Sequence, residues 1–255
     1  MFDLTLTANA AAAAGTQAAV KEFGIIEALT QGGPVAWGTA AIMAIMSAVS
    51  WYILFTKVFE QGKILKQSVE GVQKFWSAGG IKEGAAKLEK NTVFRQLAED
   101  GIKAEEEHGK LTDPMDQHEW MHNSLRRSQD AINAKLGTGL SFLATVGSTA
   151  PFIGLFGTVI GIYRALIKIG LTGDASIDKV AGPVGEALIM TAIGLAVAVP
   201  AVMGYNWLQR RNKLIAERMG TFANDIHGYM MSGGSVKPAV KAAPAAAAAP
   251  AAAKK

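Results

Sequence analysis

The first candidates for chemistry are polar side chains that stand inside apolar stretches of the sequence. Thr158 lies in residues 136–163, which contain no Asp, Glu, Lys or Arg, whereas Glu186 and Thr191 lie in a second apolar stretch, residues 183–209. A carboxylate facing lipid would cost about 2.5–3.5 kcal/mol, so Glu186 is predicted to face protein, water or a partner. Two hydroxyls and a carboxylate at one depth predict a hydrated seam that conducts protons.

Each of these polar residues also has a purely structural interpretation. A threonine in a membrane helix often donates to the carbonyl four residues before it, and Glu186 is close enough to its end of the stretch to reach lipid headgroups. If the two stretches pair antiparallel, Thr158 lies level with Glu186 and within about one helical turn of Thr191. Glu186 is about 140° around the helix from Thr191, so either Pro183 bends the helix start or the two side chains face different neighbours.

Small residues follow one face of each apolar stretch, which favours close packing of helix against helix in a membrane. Thr145 and Thr149 share a face further along the first stretch and are predicted to be an inner extension of the proton path. The predicted helix-packing residues are Gly147, Pro151, Gly154, Gly157, Gly161, Gly194 and Pro200.

A second pattern indicates different chemistry. Residues 118–122 read His-Glu-Trp-Met-His, and two histidines one helical turn apart with this glutamate form the zinc motif of many metalloproteases. Such a site needs a third ligand, but no carboxylate lies between Asp130 and Asp174 and the next histidine is His227. The motif also lies among charged residues rather than in an apolar stretch. We therefore predict no metal site, no cofactor and no enzymatic activity.

The distribution of charge predicts the elements that carry these residues. Three nearly charge-free windows of the 255-residue chain can cross a bilayer as helices, at residues 35–56, 136–163 and 183–209. The net charge of +4 is clustered beside these windows, which indicates topology and contact with lipid headgroups rather than nucleic-acid binding. The absence of cysteine excludes disulfides and thiolate ligands. The sequence thus predicts an all-α membrane protein with three transmembrane helices.

Basic residues near the span ends predict the orientation, because they favour the cytoplasmic side. Four of them follow the third span, at Arg210, Arg211, Lys213 and Arg218, whereas only Lys21 precedes the first. Arg164, Lys168 and Lys179 oppose this assignment but are fewer. The prediction is a segment outside the cytoplasm at 1–34, a cytoplasmic helical domain at 57–135, a short loop outside the cytoplasm at 164–182, a cytoplasmic helix at 210–232 and a disordered Ala/Pro tail at 233–255.

Apolar residues at helical spacing predict further helices on the cytoplasmic side. The first span continues as a long helix up to the break at residues 77–80, and shorter helices cover residues 82–90 and 92–107. Asp113 is predicted as an N-cap with Pro114 at the first helical position, so that a helix begins there and runs unbroken into the second span.

Several strings in the second and third apolar stretches resemble the MotA/TolQ/ExbB proton-channel family. They read Gly-Leu-Phe-Gly-Thr-Val at 154–159, Gly-Glu-Ala-Leu at 185–188, Thr-Ala-Ile-Gly-Leu at 191–195 and Val-Pro-Ala-Val at 199–202, with Tyr-Asn at 205–206. The match covers about 75 residues and is closest to the ExbB branch of the family, with the TolQ branch next.

The resemblance implies an inner-membrane stator of a Gram-negative bacterium, a pentameric ring around a dimer of the single-span protein ExbD. Proton flow would move the two against each other and, through TonB, energise outer-membrane uptake of iron chelates and vitamin B12. The aspartate that takes up the proton would belong to ExbD. By position, Thr158 and Thr191 would line the proton path facing that aspartate, and Glu186 would be an accessory acid near its outer mouth.

Two other functions stay open from the sequence. A TolQ-like stator would act on envelope constriction in the Tol-Pal system. A membrane scaffold would not conduct protons at all, and Glu186 and the threonines would serve packing alone.

Overall fold

The protein is described by a computed structural model over residues 33–112, 115–173 and 177–238. Every regular element within these residues is an α-helix, as the sequence predicts. The predicted N-terminal segment up to residue 32 and the tail from residue 239 lie outside the described residues. The helices are α1 (Gly33–Trp76), α2 (Ile81–Lys87), α3 (Val93–His108), α4 (Gln117–Gly137), α5 (Leu140–Thr172) and α6 (Ile177–Met231).

Three candidate membrane spans lie within these helices. They fall in Gly33–Trp76, Gln117–Leu171 and Ala187–Met231, where the mean hydropathy of the most apolar window is 1.7, 1.7 and 2.2. Only 17%, 22% and 33% of these windows is buried inside the chain, so lipid or other chains must cover the rest. The prediction of an all-α protein with three transmembrane helices is confirmed.

The helices contribute to two compact units. Unit 1 takes its described residues from Met1–Trp51 and Ala144–Val202, and unit 2 from Tyr52–Leu143 and Met203–Lys255. In unit 1, a small cluster of buried side chains joins the three long helices: Ala36 and Met43 of α1 and Met190 of α6, packed against Ile153 of α5. This cluster is small because the outer faces of the helices carry most of the apolar surface.

Unit 2 has a larger core, built around aromatic rings. Phe75 of α1 lies with its ring centroid 5.0 Å from that of Phe222 of α6, and Phe94 of α3 lies 5.5 Å from Phe222, both edge to face. Trp76 joins them at 4.9 Å from Phe75. Apolar residues of α2 and α4 complete the core, which indicates folding by burial of apolar surface from water.

A buried polar bridge ties three helices of unit 2 together. Gln61 of α1 is fully buried, and its Nε2 donates to the carbonyl of Leu208 (3.1 Å) and to Oδ1 of Asn212 (2.6 Å), both in α6. Asn212 Nδ2 in turn donates to the carbonyl of Leu136 (3.1 Å), in the last turn of α4. The bridge therefore satisfies a carbonyl that has no intrahelical partner where α4 ends.

The helix that leads to the second span differs from the prediction. It begins at Gln117 with Asp116 at the N-cap position, whereas Asp113 and Pro114 lie outside the described residues. It is also interrupted, because α4 ends at Gly137 and α5 begins at Leu140. Gly139 has φ of +85°, a value that glycine adopts readily and that ends a helix. The predicted unbroken helix is therefore wrong at this point.

The other boundaries lie close to the predictions. The break after Trp76 is confirmed, α2 ends three residues before the predicted residue 90, and α3 begins after Thr92, whose side chain accepts from the N–H of Arg95 at 3.3 Å. Residues 164–182, predicted as a loop, are helical up to Thr172 and again from Ile177. Arg164 and Lys168 thus lie on α5, because long basic side chains extend along a helix toward water without ending it.

Replacing Phe222 by alanine tests the aromatic core. We expect Phe222→Ala to lower the free energy of unfolding by about 3–5 kcal/mol, because Phe222 is 2% exposed and contacts three aromatic rings. Urea titration in detergent measures the change. Phe59→Ala is the matched control, because Phe59 is 76% exposed in the same unit. Equal losses in the two variants would contradict this description of the core.

Candidate functional site

The candidate site is a seam in unit 1 where α5 and α6 approach each other closely. A Cβ atom added at Gly154 would lie 2.7 Å from the carbonyl oxygen of Met190 and 3.2 Å from the Cα atoms of Thr191 and Gly194. Gly194 has the reciprocal contact, with the carbonyl oxygen of Ala150 at 2.8 Å from its own added Cβ. Only glycine fits at these two positions without moving the helices apart.

The other predicted packing residues extend the same seam. Gly161 faces Ala187, whose Cβ would lie 2.9 Å from an added Cβ, and Gly147 faces the side chain of Val202. Gly157 faces both Met190 and Thr39, so α1 joins the seam there. Pro151 lies inside α5, where it removes one helix hydrogen bond, and Pro200 lies inside α6. The glycine positions show close contact between the helices, whereas the packing role of the two prolines stays a prediction.

Thr158 and Thr191 meet across this seam, at the depth that the antiparallel pairing predicts. Their Oγ1 atoms are 2.5 Å apart. Thr158 Oγ1 is also 3.1 Å from the carbonyl oxygen of Gly154 in its own helix and 3.0 Å from that of Ala187 in α6. Thr158 is 6% exposed, whereas Thr191 is half-buried. The threonine pair, Thr158 and Thr191, is therefore closed at Thr158 and partly open at Thr191.

The number of hydrogens that the two hydroxyls can donate limits the hydrogen bonds that the threonine pair can form. A hydroxyl has one hydrogen to donate and can accept two, whereas a carbonyl oxygen only accepts. If Thr158 donates to a carbonyl, then Thr191 donates to Thr158. If Thr158 donates to Thr191, then the hydrogen of Thr191 is available for a group on the open side. The pair can therefore reverse the direction of its hydrogen bond, but neither hydroxyl can store an extra proton at neutral pH.

The remaining predicted residues of the proton path are not joined to this pair by described contacts. Glu186 lies in α6, one residue before Ala187, and its side chain is outside the described residues. Thr149 is half-buried and its Oγ1 donates to the carbonyl of Thr145 at 2.7 Å, the local bond of the structural interpretation. Thr145 is exposed. The roles of these three residues stay predictions.

The histidine motif is the place where sequence reasoning missed a neighbour. His118 and His122 lie on α4 of unit 2, and the ring centroid of His227 on α6 is 4.4 Å from that of His118 and 6.1 Å from that of His122. The separation of His227 from the motif in the sequence did not predict this proximity. The signal that could have indicated the contact is the stripe of buried residues on α6. His227 directly follows the buried Ile226, just as His122 directly follows the buried Met121 on α4.

The fold and the seam together define a class of protein. It is a multi-pass helical membrane protein whose spans pack through glycine and enclose a hydroxyl pair. Residues 89–221 match the MotA/TolQ/ExbB proton channel family. With the relatives described next, this shows that the chain belongs to the MotA/TolQ/ExbB proton channel family.

Three relatives illustrate the similarity. The biopolymer transport protein ExbB of Xanthomonas campestris is 38% identical over 93% of this chain and 100% of its own length. ExbB of Neisseria gonorrhoeae is 35% identical over 77% of this chain and 92% of its own. The Tol-Pal system protein TolQ of Pseudomonas aeruginosa is 31% identical over 72% of this chain and 82% of its own.

A methyl group at the closest point of the seam tests the geometry of the site. We expect Gly154→Ala to lower the midpoint of thermal unfolding in detergent, because its Cβ would lie 2.7 Å from a backbone oxygen. The cost is about 1–3 kcal/mol, as for overpacking in a protein core. Gly170→Ala is the matched control on the same helix, because an added Cβ there meets nothing within 4 Å. A variant at Gly154 as stable as this control would refute the close approach.

Proposed function

We propose that this protein is the proton-channel and stator subunit of an inner-membrane energy-transducing complex of the ExbB type. In this proposal, proton flow through the protein and an ExbD-like single-span partner drives motion that energises outer-membrane uptake through TonB. The cargo would be iron chelates or vitamin B12. The observation that carries the proposal is the threonine pair, because two bonded hydroxyls in an apolar span form a short path along which a proton can be passed.

The partner is needed because the threonine pair has no titratable group of its own. Proton transport needs a group that gains and loses a proton near physiological pH, and a hydroxyl does not. An aspartate of the ExbD-like partner would supply this group at the open side of Thr191. The half-buried position of Thr191 supports this arrangement, because part of the residue stays accessible from outside the seam.

Exposed apolar side chains on α5 and α6 support assembly with other copies and with lipid. Phe152, Phe156 and Val159 of α5 are 69%, 54% and 55% exposed, and Leu188 and Leu195 of α6 are 58% and 49% exposed. Such side chains are stable only against lipid tails or other helices. The proposal assigns them to a homopentameric ring that surrounds the partner helices in the membrane.

The ExbB role is preferred over a TolQ-like role because the two ExbB relatives described above, at 38% and 35% identity over 93% and 77% of this chain, exceed the TolQ relatives, at 31% and 34% over 72%. The TolQ relative still makes a Tol-Pal stator the second candidate. Identification of the small proteins that co-purify with this chain would discriminate between the two, because an ExbD-like partner and a partner from the Tol-Pal system belong to different complexes. A scaffold without conduction is the remaining alternative, and it is tested by the proton flux of the assembled complex.

Removing both hydroxyls tests conduction. We expect Thr158→Val with Thr191→Val, in a complex assembled with the ExbD-like partner, to lower proton flux into vesicles about tenfold or more. Valine keeps the shape of threonine but has no group that can donate or accept a hydrogen bond, so the proposed path is interrupted at the seam. A pH-sensitive dye inside the vesicles measures the flux.

Two control variants separate loss of the hydroxyl from loss of packing. The double serine variant, Thr158→Ser with Thr191→Ser, keeps both hydroxyls and should keep most of the flux. Thr56→Val removes an exposed hydroxyl that bonds only local carbonyls of α1, at 2.9 and 3.0 Å, and should have no effect. Unchanged flux in the double valine variant, with normal assembly, would show that the threonine pair does not carry the protons, whereas an assembled wild-type complex without any flux would leave only the scaffold.

Neutralising Glu186 tests its proposed role as an acid near the outer mouth of the path. We expect Glu186→Gln to lower proton flux a few-fold at low salt, because a carboxylate raises the local proton concentration. The difference in proton flux between Glu186→Gln and the wild type should shrink near about 1 M salt, where the screening length is only about 3 Å. Glu217→Gln, an exposed position on the same helix in unit 2, is the control. A loss that is independent of salt would contradict the electrostatic role.

A further inference from the structure

Three of the four histidines of the chain come together in unit 2. His118 and His122 lie one turn apart on the exposed face of α4, and His227 lies opposite them on α6. The rings of His118 and His227 are edge to face, with centroids 4.4 Å apart. We name these three residues the histidine cluster. The proposed proton path does not use them, so their convergence needs a separate explanation.

His227 carries the feature that points to a function. Its Nε2 atom is buried and has no hydrogen-bond partner among the described residues, although the residue as a whole is half-buried. A buried polar nitrogen without a partner is costly, and a charged imidazole in that position is more costly still. The neutral ring is therefore the form that the packed contact accommodates.

The surroundings of His227 offer little compensation for a positive charge. Burial lowers the pKa of His227, the charges of His118 and then His122 act in the same direction, and a hydrogen bond to the backbone of His118 opposes them. A cavity of about 310 Å³ beside it is lined from α4 by Arg126 and Asp130 as well as His122. Its lining from α6 contains Asn224 and no acid.

The nearest acid along α6 does not act on the cluster. Asp225 has a raised pKa whose only cause is burial, with no contribution from a histidine. It lies about 200° around the helix from His227, on a different side of α6. Arg126 and Asp130 carry opposite charges in the cavity lining, and Glu119 follows His118 on α4. No carboxylate contributes to the lowered pKa of His227, so a proton added to His227 has no close counter-charge.

From this geometry we infer that the histidine cluster is a proton-sensitive contact between α4 and α6, closed when His227 is neutral and loosened when the solution becomes acid. An imidazole titrates near about pH 6.5 when exposed. The closed contact favours neutral His227, so the opened state binds more protons between that lowered pKa and about pH 6.5. Closing is therefore fully favourable above about pH 6.5 and becomes weaker as the pH falls below it.

A proton rather than a metal ion is the ligand that this arrangement fits. Within residues 33–112, 115–173 and 177–238, no group of three or more His, Cys, Asp or Glu side chains is placed to hold a metal ion. The rings of His118 and His227 are instead packed edge to face. The meaning of the contact for transport rests on the proposed function, whereas its response to pH does not.

Hydrogen exchange measured by mass spectrometry on the full-length protein in detergent tests the inference. We expect the peptides around His122 and His227 to lose protection between about pH 7.5 and pH 5.5, after correction for the intrinsic exchange rate. The loss should be about tenfold for each unit by which the pKa of His227 differs between closed and open states. The protection of peptides from α5 in unit 1 should not change over this pH range.

Variants locate the response in the cluster. His227→Gln should abolish the extra loss of protection in acid, and if this variant folds poorly, His118→Gln with His122→Gln at exposed positions should reduce it. His108→Gln is the matched control, because His108 is the histidine outside the cluster. Its Nε2 atom lies 2.9 Å from the carbonyl oxygen of Met115. An acid response that persists in the cluster variants would overturn the inference. So would zinc that stabilises the wild type at about pH 7.5 and not His227→Gln, because the cluster would then hold metal.

Discussion

The close backbone approach of α5 and α6 is the constraint on which the site depends. In a lipid environment apolar side chains gain little by leaving lipid, so helices associate through dispersion contacts at short range. Gly154 and Gly194 permit that range, since neither carries a Cβ that would meet the opposite backbone. Thr158 reaches the carbonyl of Ala187 in the other helix only because the two backbones are this close.

Unit 2 is held together by different forces, and its side chains also satisfy a carbonyl that is left without a donor where α4 ends. Its aromatic core is typical of a domain that folds in water, where burial of apolar surface supplies the driving force. Ending α4 at Gly137 leaves carbonyls without donors, and Asn212 satisfies the one at Leu136 while accepting from Gln61. The break before α5 is thus supported by side chains from two other helices.

Features set by the bilayer or by local periodicity could be predicted from the sequence, whereas features set by distant contacts could not. The three charge-free windows predicted three spans because lipid tolerates little else, and antiparallel pairing predicted that Thr158 and Thr191 share a depth. Gly139 was missed because its positive φ ends a helix that periodicity alone would continue, beside the side chain of Ile53. His227 was missed because the buried stripe of α6 does not by itself indicate which helix packs against it.

The value of two threonines rather than one follows from the hydrogen bonds they can make to a partner's acid. In the proposed assembly, an ionised carboxylate of the partner would accept from Thr191, which would then accept from Thr158. A protonated carboxyl would donate to Thr191, which would then donate to Thr158, and Thr158 would donate to the carbonyl of Ala187 or Gly154. Each protonation state therefore finds a complete chain of donors and acceptors. A proposed partner could gain and lose its proton here without leaving a buried polar group unpaired, and the rigid seam would need only two hydroxyl rotations.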